Sequence, residues 1–145
     1  RNEMKRLFIC LGAIVGVLFS VQTIFGQTAS VSIESLTEQA RDTDNDGLYD
    51  SLAAEIVLDV KESMLFTLEG SLFAGDTLIA KAYESSSLDN GINTVVLDFE
   101  GKQISQSQYD GPYHLSVIVY DQHRQQAAET TKDTLSYRHD EFENQ

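Results

Sequence analysis

Ala54-Glu55-Ile56-Val57-Leu58-Asp59-Val60 decides the fold of this chain. Ala54, Ile56, Leu58 and Val60 share one face while Glu55 and Asp59 take the other, the period-two pattern of a strand buried on one side. Lys61-Glu62-Ser63 turns the chain, and Met64, Phe66, Leu68 and Leu72 resume the rhythm. Gly75-Asp76 is the next turn, followed by Leu78, Ala80 and Ala82 on one face. A small-polar loop from Ser85 ends in Asn90-Gly91, a strong turn dipeptide, before Val95, Leu97 and Phe99. Asp110-Gly111-Pro112 breaks the chain ahead of Leu115, Val117 and Val119.

A weaker first strand around Val31–Leu36 and a last one carrying Leu135 and Tyr137 bring the total to seven. Ile104 stands alone among polar residues between Gly101 and Gln108, which fits one helical turn. The expected fold is all-β: a seven-stranded antiparallel sandwich of immunoglobulin-like or fibronectin III-like shape, with a small open barrel as the alternative. With one Cys and no Trp, the Cys…Trp…Cys signature of antibody domains is excluded.

Composition narrows the function classes. The chain has 145 residues, with 10 Lys+Arg against 23 Asp+Glu and a net charge of −13, which disfavours nucleic-acid and anionic-membrane partners. Met4-Lys5-Arg6 followed by the uncharged apolar run Leu7–Phe19 and then Ser20, Gln22, Thr23 and Gly26 has the layout of a secretory signal peptide, expected over 1–26. Arg1, Asn2 and Glu3 ahead of that Met suggest an upstream reading-frame extension. The apolar run is too short for the roughly 20 residues that span a bilayer, so no transmembrane segment is expected after cleavage. Cys10 lies inside the run, preceded by Leu7-Phe8-Ile9 rather than a small residue, which argues against lipidation. Cleavage removes three basic residues, one acidic residue and the only cysteine, leaving 119 residues with a net charge of −15. A secreted domain without disulfides must draw its stability from its core or from a metal.

The stretch that offers a metal is Asp42-Thr43-Asp44-Asn45-Asp46-Gly47-Leu48-Tyr49-Asp50. Oxygen side chains stand at alternate positions, and Gly47 permits the bend that wraps such a chain around a hard cation wanting six to eight oxygens. Asp42, Asp44 and Asp46 would offer side-chain oxygens, Leu48 its backbone carbonyl, and Asp50 a carboxylate directly or through water. The expected cofactor is Ca²⁺. The segment resembles the D-x-D-x-D-G-x-x-D calcium loop of EF-hands, dockerins and thrombospondin type 3 repeats. It departs from the EF-hand at the twelfth position, where Ala53 replaces the bidentate Glu, and a strand rather than a helix follows. The likeness therefore implies a structural calcium site rather than a helix-opening switch.

The wider chain through Asp110-Gly111-Pro112-Tyr113 resembles calcium-loop-plus-sandwich modules of exported bacterial surface proteins, which implies a non-catalytic accessory role. The domain plan is a linker and first strand over 27–41, the calcium loop over 42–53 and the sandwich over 54–145. If the strands run alternately up and down, the loop, the Gly75-Asp76 turn and the Glu100–Asp110 connection share one pole. Asp110 is then the first candidate for a ligand from outside the loop, ahead of Asp76 and Glu100. Glu55 is expected to lie along its strand.

His114, His123 and His139 are too widely spaced for a zinc motif and have no thiolate partner; His114 should face outward and His123 should lie in a polar loop over Gln122–Lys132. No Ser sits in a Gly-x-Ser-x-Gly elbow, and Glu141 and Glu143 near the C-terminus are an acid pair without an evident cleft. Tyr83, Tyr109, Tyr113 and Tyr120 would line a sugar- or peptide-binding face if they lay together on one sheet face. The sequence points to a secreted or cell-surface module, not an enzyme, that binds calcium and has a surface protein or glycan as partner. A carbohydrate-binding module and a purely structural envelope protein are the alternatives.

Overall fold

The computed structural model describes residues 30–145; the expected signal peptide over 1–26 lies outside them. Seven strands follow in order: β1 (Val31–Arg41), β2 (Ser51–Val60), β3 (Met64–Ala74), β4 (Thr77–Leu88), β5 (Gly91–Glu100), β6 (His114–Tyr120) and β7 (Gln126–Asp133). One short helix, α1 (Gly101–Ser107), bridges β5 and β6. The strands form a three-stranded sheet, β1-β2-β5, and a four-stranded sheet, β4-β3-β6-β7, with every pair antiparallel. The fold is an all-β sandwich. The fourth strand pairs with the third rather than joining the first sheet, which departs from the constant immunoglobulin order and matches the fibronectin III-like alternative.

Alternation builds the core. On β2, Leu52, Ala54, Ile56, Leu58 and Val60 are buried, and they face Phe66, Leu68 and Leu72 of β3 and Leu115, Val117 and Val119 of β6 across the sandwich. β5 adds Val95, Leu97 and Phe99, and α1 tucks Ile104 against the same cluster. The expected turns at Lys61–Ser63, Gly75-Asp76 and Asn90-Gly91, and the helical turn after Gly101, stand where the sequence put them.

Three strands differ from expectation. β4 runs on through Ser85–Leu88, expected as loop, because backbone pairing with Met64–Thr67 of β3 carries the ladder through small polar residues that leave no apolar stripe. β1 runs on to Arg41 rather than Leu36, because a bulge between Ile33 and Ser35 breaks its period. Ile33 then pairs with Leu58 and Leu36 with Ile56, so two apolar residues three apart both face inward. The seventh strand is Gln126–Asp133, all but its last residue inside the stretch expected to be a loop, and Leu135 and Tyr137 lie beyond it. β7 is an edge strand with only Ala127 and Ala128 packed on the core, so backbone pairing with β6 from His114–Asp133 to Tyr120–Gln126 defines it rather than an apolar stripe. Ser51–Ala53, counted with the acidic loop from sequence, open β2 and pair with Asp98–Glu100 of β5.

After β7 the chain does not leave the sandwich. Residues 134–145 turn back across the pole that carries the acidic loop, through a 3-10 turn at His139–Glu141. Phe142, only 1% exposed, plugs this end of the core.

Candidate metal centre

The acidic loop is the β1–β2 connection, and its ends are fastened by backbone. Asp50 N–H donates to Arg41 C=O at 2.8 Å, closing residues 42–49 into a compact excursion. Gly101 N–H donates to Asp50 C=O at 2.7 Å, tying the loop to the start of α1. A Cβ on Gly101 would lie 2.5 Å from Tyr49 O and 2.7 Å from Asp50 O, both backbone atoms that cannot swing aside, so only Gly allows this approach.

Within the loop each aspartate spends one or two lone pairs on shaping the turn. Asp42 Oδ1 accepts from Asn45 N–H at 2.7 Å and its Oδ2 from Gly47 N–H at 3.1 Å. Asp44 Oδ1 accepts from Asp46 N–H at 3.1 Å, and Asp46 Oδ1 from Leu48 N–H at 2.8 Å. Thr43 donates its hydroxyl and its N–H to Asp50 Oδ2. Those two bonds, the hydroxyl's first, hold the Asp50 carboxyl below the usual carboxylate range. Gly47 stands at φ +99°, a conformation that Cβ-bearing residues rarely adopt.

The sequence missed one member of this site. Tyr49 and Phe142 form a parallel bridge: Tyr49 N–H donates to Glu141 C=O at 2.8 Å, and Glu143 N–H to Tyr49 C=O at 3.0 Å. The rings of Tyr49, Tyr137 and Phe142 pack with centroids 5.4–6.3 Å apart. This clasp carries the Glu143 carboxylate to the loop. Loss of water raises the Glu143 carboxyl above its ordinary value, and the negative charges of Asp50, Asp44 and Asp46 push it further.

Two overlapping groups result. Oxygens of Asp42, Asp44 and Asp50 lie within 4.8 Å of one another, as do those of Asp44, Asp46 and Glu143, with Asp44 common to both. Mutually repelling carboxylates gathered in this way, all hard oxygen donors, fit a divalent cation of the calcium type. Asp110, expected as the outside ligand, belongs to neither group: its Oδ1 accepts from His139 N–H at 3.0 Å and meets His139 Nδ1 at 2.8 Å. That His139 bonding, backbone first, lowers the Asp110 carboxyl. Asp110 therefore braces the 3-10 turn that precedes Phe142. The pole was read correctly; the tail that returns to it was not. The one signal in sequence was Phe142, an apolar residue isolated in an acidic tail.

The remaining expectations sort simply. Glu55 is exposed along β2, and Asp76 and Glu100 are exposed at the same pole without entering either group. His114 faces outward and pairs with Asp133 at 3.0 Å, while His123 lies in the exposed β6–β7 turn. The four tyrosines do not form a strip: Tyr113 is wholly buried, donating its hydroxyl to Tyr109 C=O at 2.7 Å, and Tyr109 follows α1. Tyr83 and Tyr120 share the outer face of the four-stranded sheet. Among the described residues no helix is long and apolar enough to cross a membrane.

No family model matches the chain, and no curated protein does. Among solved structures it is similar to a DUF4785 family protein from Legionella pneumophila (12% identity, TM-score 0.49, 79% of this chain and 28% of that one). It is also similar to a β-D-mannosidase from Dictyoglomus thermophilum (11%, 0.49, 72% and 13%). A third is a calcium-binding mutant of Bacteroides uniformis β-glucuronidase 2 (11%, 0.45, 74% and 13%). The chain spans less than a third of each of these proteins.

Proposed function

We propose that this protein is a secreted or cell-surface, non-catalytic β-sandwich module, stabilised by one Ca²⁺ at the pole formed by the β1–β2 loop and the C-terminal tail. The observation that carries the reading is the convergence of Asp44 and Asp46 with Glu143, from a segment some hundred residues away in sequence, on donor atoms within 4.8 Å. Glu143 supplies from the tail the carboxylate that Ala53 withholds at the twelfth loop position. Asp42, Asp44, Asp46, Asp50 and Glu143 would hold the ion, with the Leu48 carbonyl completing the loop's share as the resemblance implies. Bound calcium neutralises the repulsion among these groups and locks tail to loop. Its role is to stabilise a module whose 27–145 portion has no cysteine. Binding or adhesion is then the task of the sandwich surface, and the basic-then-apolar N-terminal sequence supports export.

Melting the full chain in excess calcium and in EGTA tests the reading. At a hundredfold excess over Kd, one site stabilises by about 2.7 kcal/mol. For a domain of this size that is an upward shift of about 5–15 °C in Tm. Glu143→Gln and Asp44→Asn should each reduce the shift. Equal melting temperatures with and without the ion would refute the calcium site.

A further inference from the structure

We propose that a depression at the opposite pole, on the outer face of the four-stranded sheet, binds a neutral saccharide unit of a glycan; this rests on reading the protein as a binding module and supplies the class of its partner. The depression measures about 400 Å³, within the range of small-molecule sites, and is lined by Thr67, Ser85, Tyr120, Asp121 and Arg124. Thr67 on β3 is the register partner of both Ser85 on β4 and Tyr120 on β6, so the three point out of the sheet as one row. The β6–β7 turn then brings Asp121 and Arg124 to the end of that row.

Three features separate this place from ordinary surface. The first is rigidity. Asp121 Oδ1 accepts from His123 N–H at 2.8 Å and from Gln125 N–H at 3.0 Å, while Asp121 N–H donates to Gln125 C=O and Arg124 N–H to Asp121 C=O, each at 2.9 Å. The second is strain. Arg124 sits at φ +60°, in the left-handed region that favours Gly or Asn, although the turn would form more easily with either. The third is the state of that arginine. Of the seven Lys and Arg among the described residues, Arg41, Lys61, Lys81, Lys132 and Arg138 each form an ion pair with a carboxylate, whereas Lys102, on the exposed side of α1, and Arg124 form none among those residues, and of these two only Arg124 borders the depression. In so acidic a chain, an arginine held in a strained turn beside a depression, its guanidinium free, is available to a ligand.

The lining chemistry selects the ligand. Arg124 offers five donors, and Asp121 Oδ2 remains an acceptor. The Thr67 and Ser85 hydroxyls, 2.8 Å apart, can each still donate or accept outward. Tyr120, half-buried in the lining, supplies an aromatic ring for C–H groups and a hydroxyl for a polar one. Mixed donors and acceptors beside an aromatic surface suit a polyhydroxylated ring. An anionic ligand is disfavoured, because Asp121 offsets the single arginine and the chain carries −13. A peptide added as a strand would take the free edge of β4 rather than the depression, whose Thr67 and Tyr120 stand on β3 and β6 with backbone groups paired on both sides.

The test is a neutral-oligosaccharide microarray probed with the purified full chain, followed by calorimetric titration of the saccharide retained. Arg124→Gly removes the guanidinium while relieving the left-handed strain, so this variant should melt at or above the wild-type temperature yet bind at least tenfold more weakly. Tyr120→Ala should weaken binding similarly, whereas Tyr83→Ala, on the same face outside the depression, should leave affinity unchanged. EGTA should not affect affinity, because the acidic loop lies at the other end of the sandwich; a calcium-dependent melting shift without saccharide binding would overturn this proposal alone. Retention of no neutral glycan, of charged glycans or peptides only, or binding that survives Arg124→Gly would likewise overturn it.

Discussion

Replacing Phe142 with Ala tests the claim that the tail is part of the domain rather than an appendage. Phe142 is 1% exposed and packs at centroid distances of 5.4 Å from Tyr49 and 5.9 Å from Tyr137. Truncating a buried Phe to Ala costs about 3–5 kcal/mol, including roughly 0.5–1.5 kcal/mol for each aromatic pair lost. A site at the end of a chain collapses more readily than one in mid-core, which places Phe142→Ala near 3 kcal/mol. Urea unfolding in EGTA, so that no metal contributes, should show that loss as a lower midpoint at constant slope. Hydrogen exchange adds a local reading. The Tyr49 amide, bonded to Glu141 C=O at 2.8 Å, and the Glu143 amide, bonded to Tyr49 C=O at 3.0 Å, should exchange much faster in the variant, while Leu58 and Val117 amides in the central ladders change only with global stability. A change under 1 kcal/mol, with the Tyr49 and Glu143 amides still protected, would refute the claim that Phe142 holds the clasp.

Three further outcomes follow from single contacts. Tyr113 is wholly buried, and loss of water, reinforced by Asp110 and Glu141, pushes its hydroxyl up to about 12; the unfolded chain ionises near 10 while the folded one does not, so stability present below pH 10 should fall by about 2–3 kcal/mol toward pH 12, a loss that urea titrations should find absent in Tyr113→Phe. Gly101→Ala drives a Cβ against Tyr49 O and Asp50 O, and should lower stability by about 1–3 kcal/mol in urea melts and weaken the calcium-induced shift. Lys132→Met leaves the Glu38 carboxylate, whose side chain is 3% exposed, with only Leu135 N–H at 3.0 Å and no cation, and should cost about 2–4 kcal/mol on thermal unfolding.

The legible parts of the fold were those in which one residue's burial is decided by its neighbours two positions away. β2, β3, β5 and β6 are such strands: each has one face in the core, so Ile56, Leu68, Leu97 and Val117 could be placed by counting. β1 and β7 were less legible for two different reasons. A bulge at Ile33/Ser35 erased the alternation of β1, and β7 is a polar edge strand held by hydrogen bonds to β6 and by the Lys132–Glu38 pair to β1. Hydrogen bonding between backbones leaves no trace in side-chain pattern.

The acidic loop was legible for the same reason that the fifth carboxylate beside it was not. Its acidic spacing is local, the alternation that a chain wrapping one cation would need, and Asp42 to Asp50 display it within nine residues. Glu143 reaches the loop only because Phe142 finds an apolar socket between Tyr49 and Tyr137 and because Asp110 anchors His139 three residues earlier. Each of these contacts depends on the sandwich being closed. Under the proposed calcium site, a carboxylate delivered by tertiary structure would make calcium affinity a reporter of folding: any substitution that frees the tail, even one remote from the loop, should weaken the ion's hold by removing Glu143. An ion held there would bind N and not U, and so would add its free energy to the closed sandwich alone. The coupling runs in both directions, so the calcium dependence of Tm and the protection of the Glu143 amide should rise and fall together across variants of Phe142, Tyr137 and Asp110.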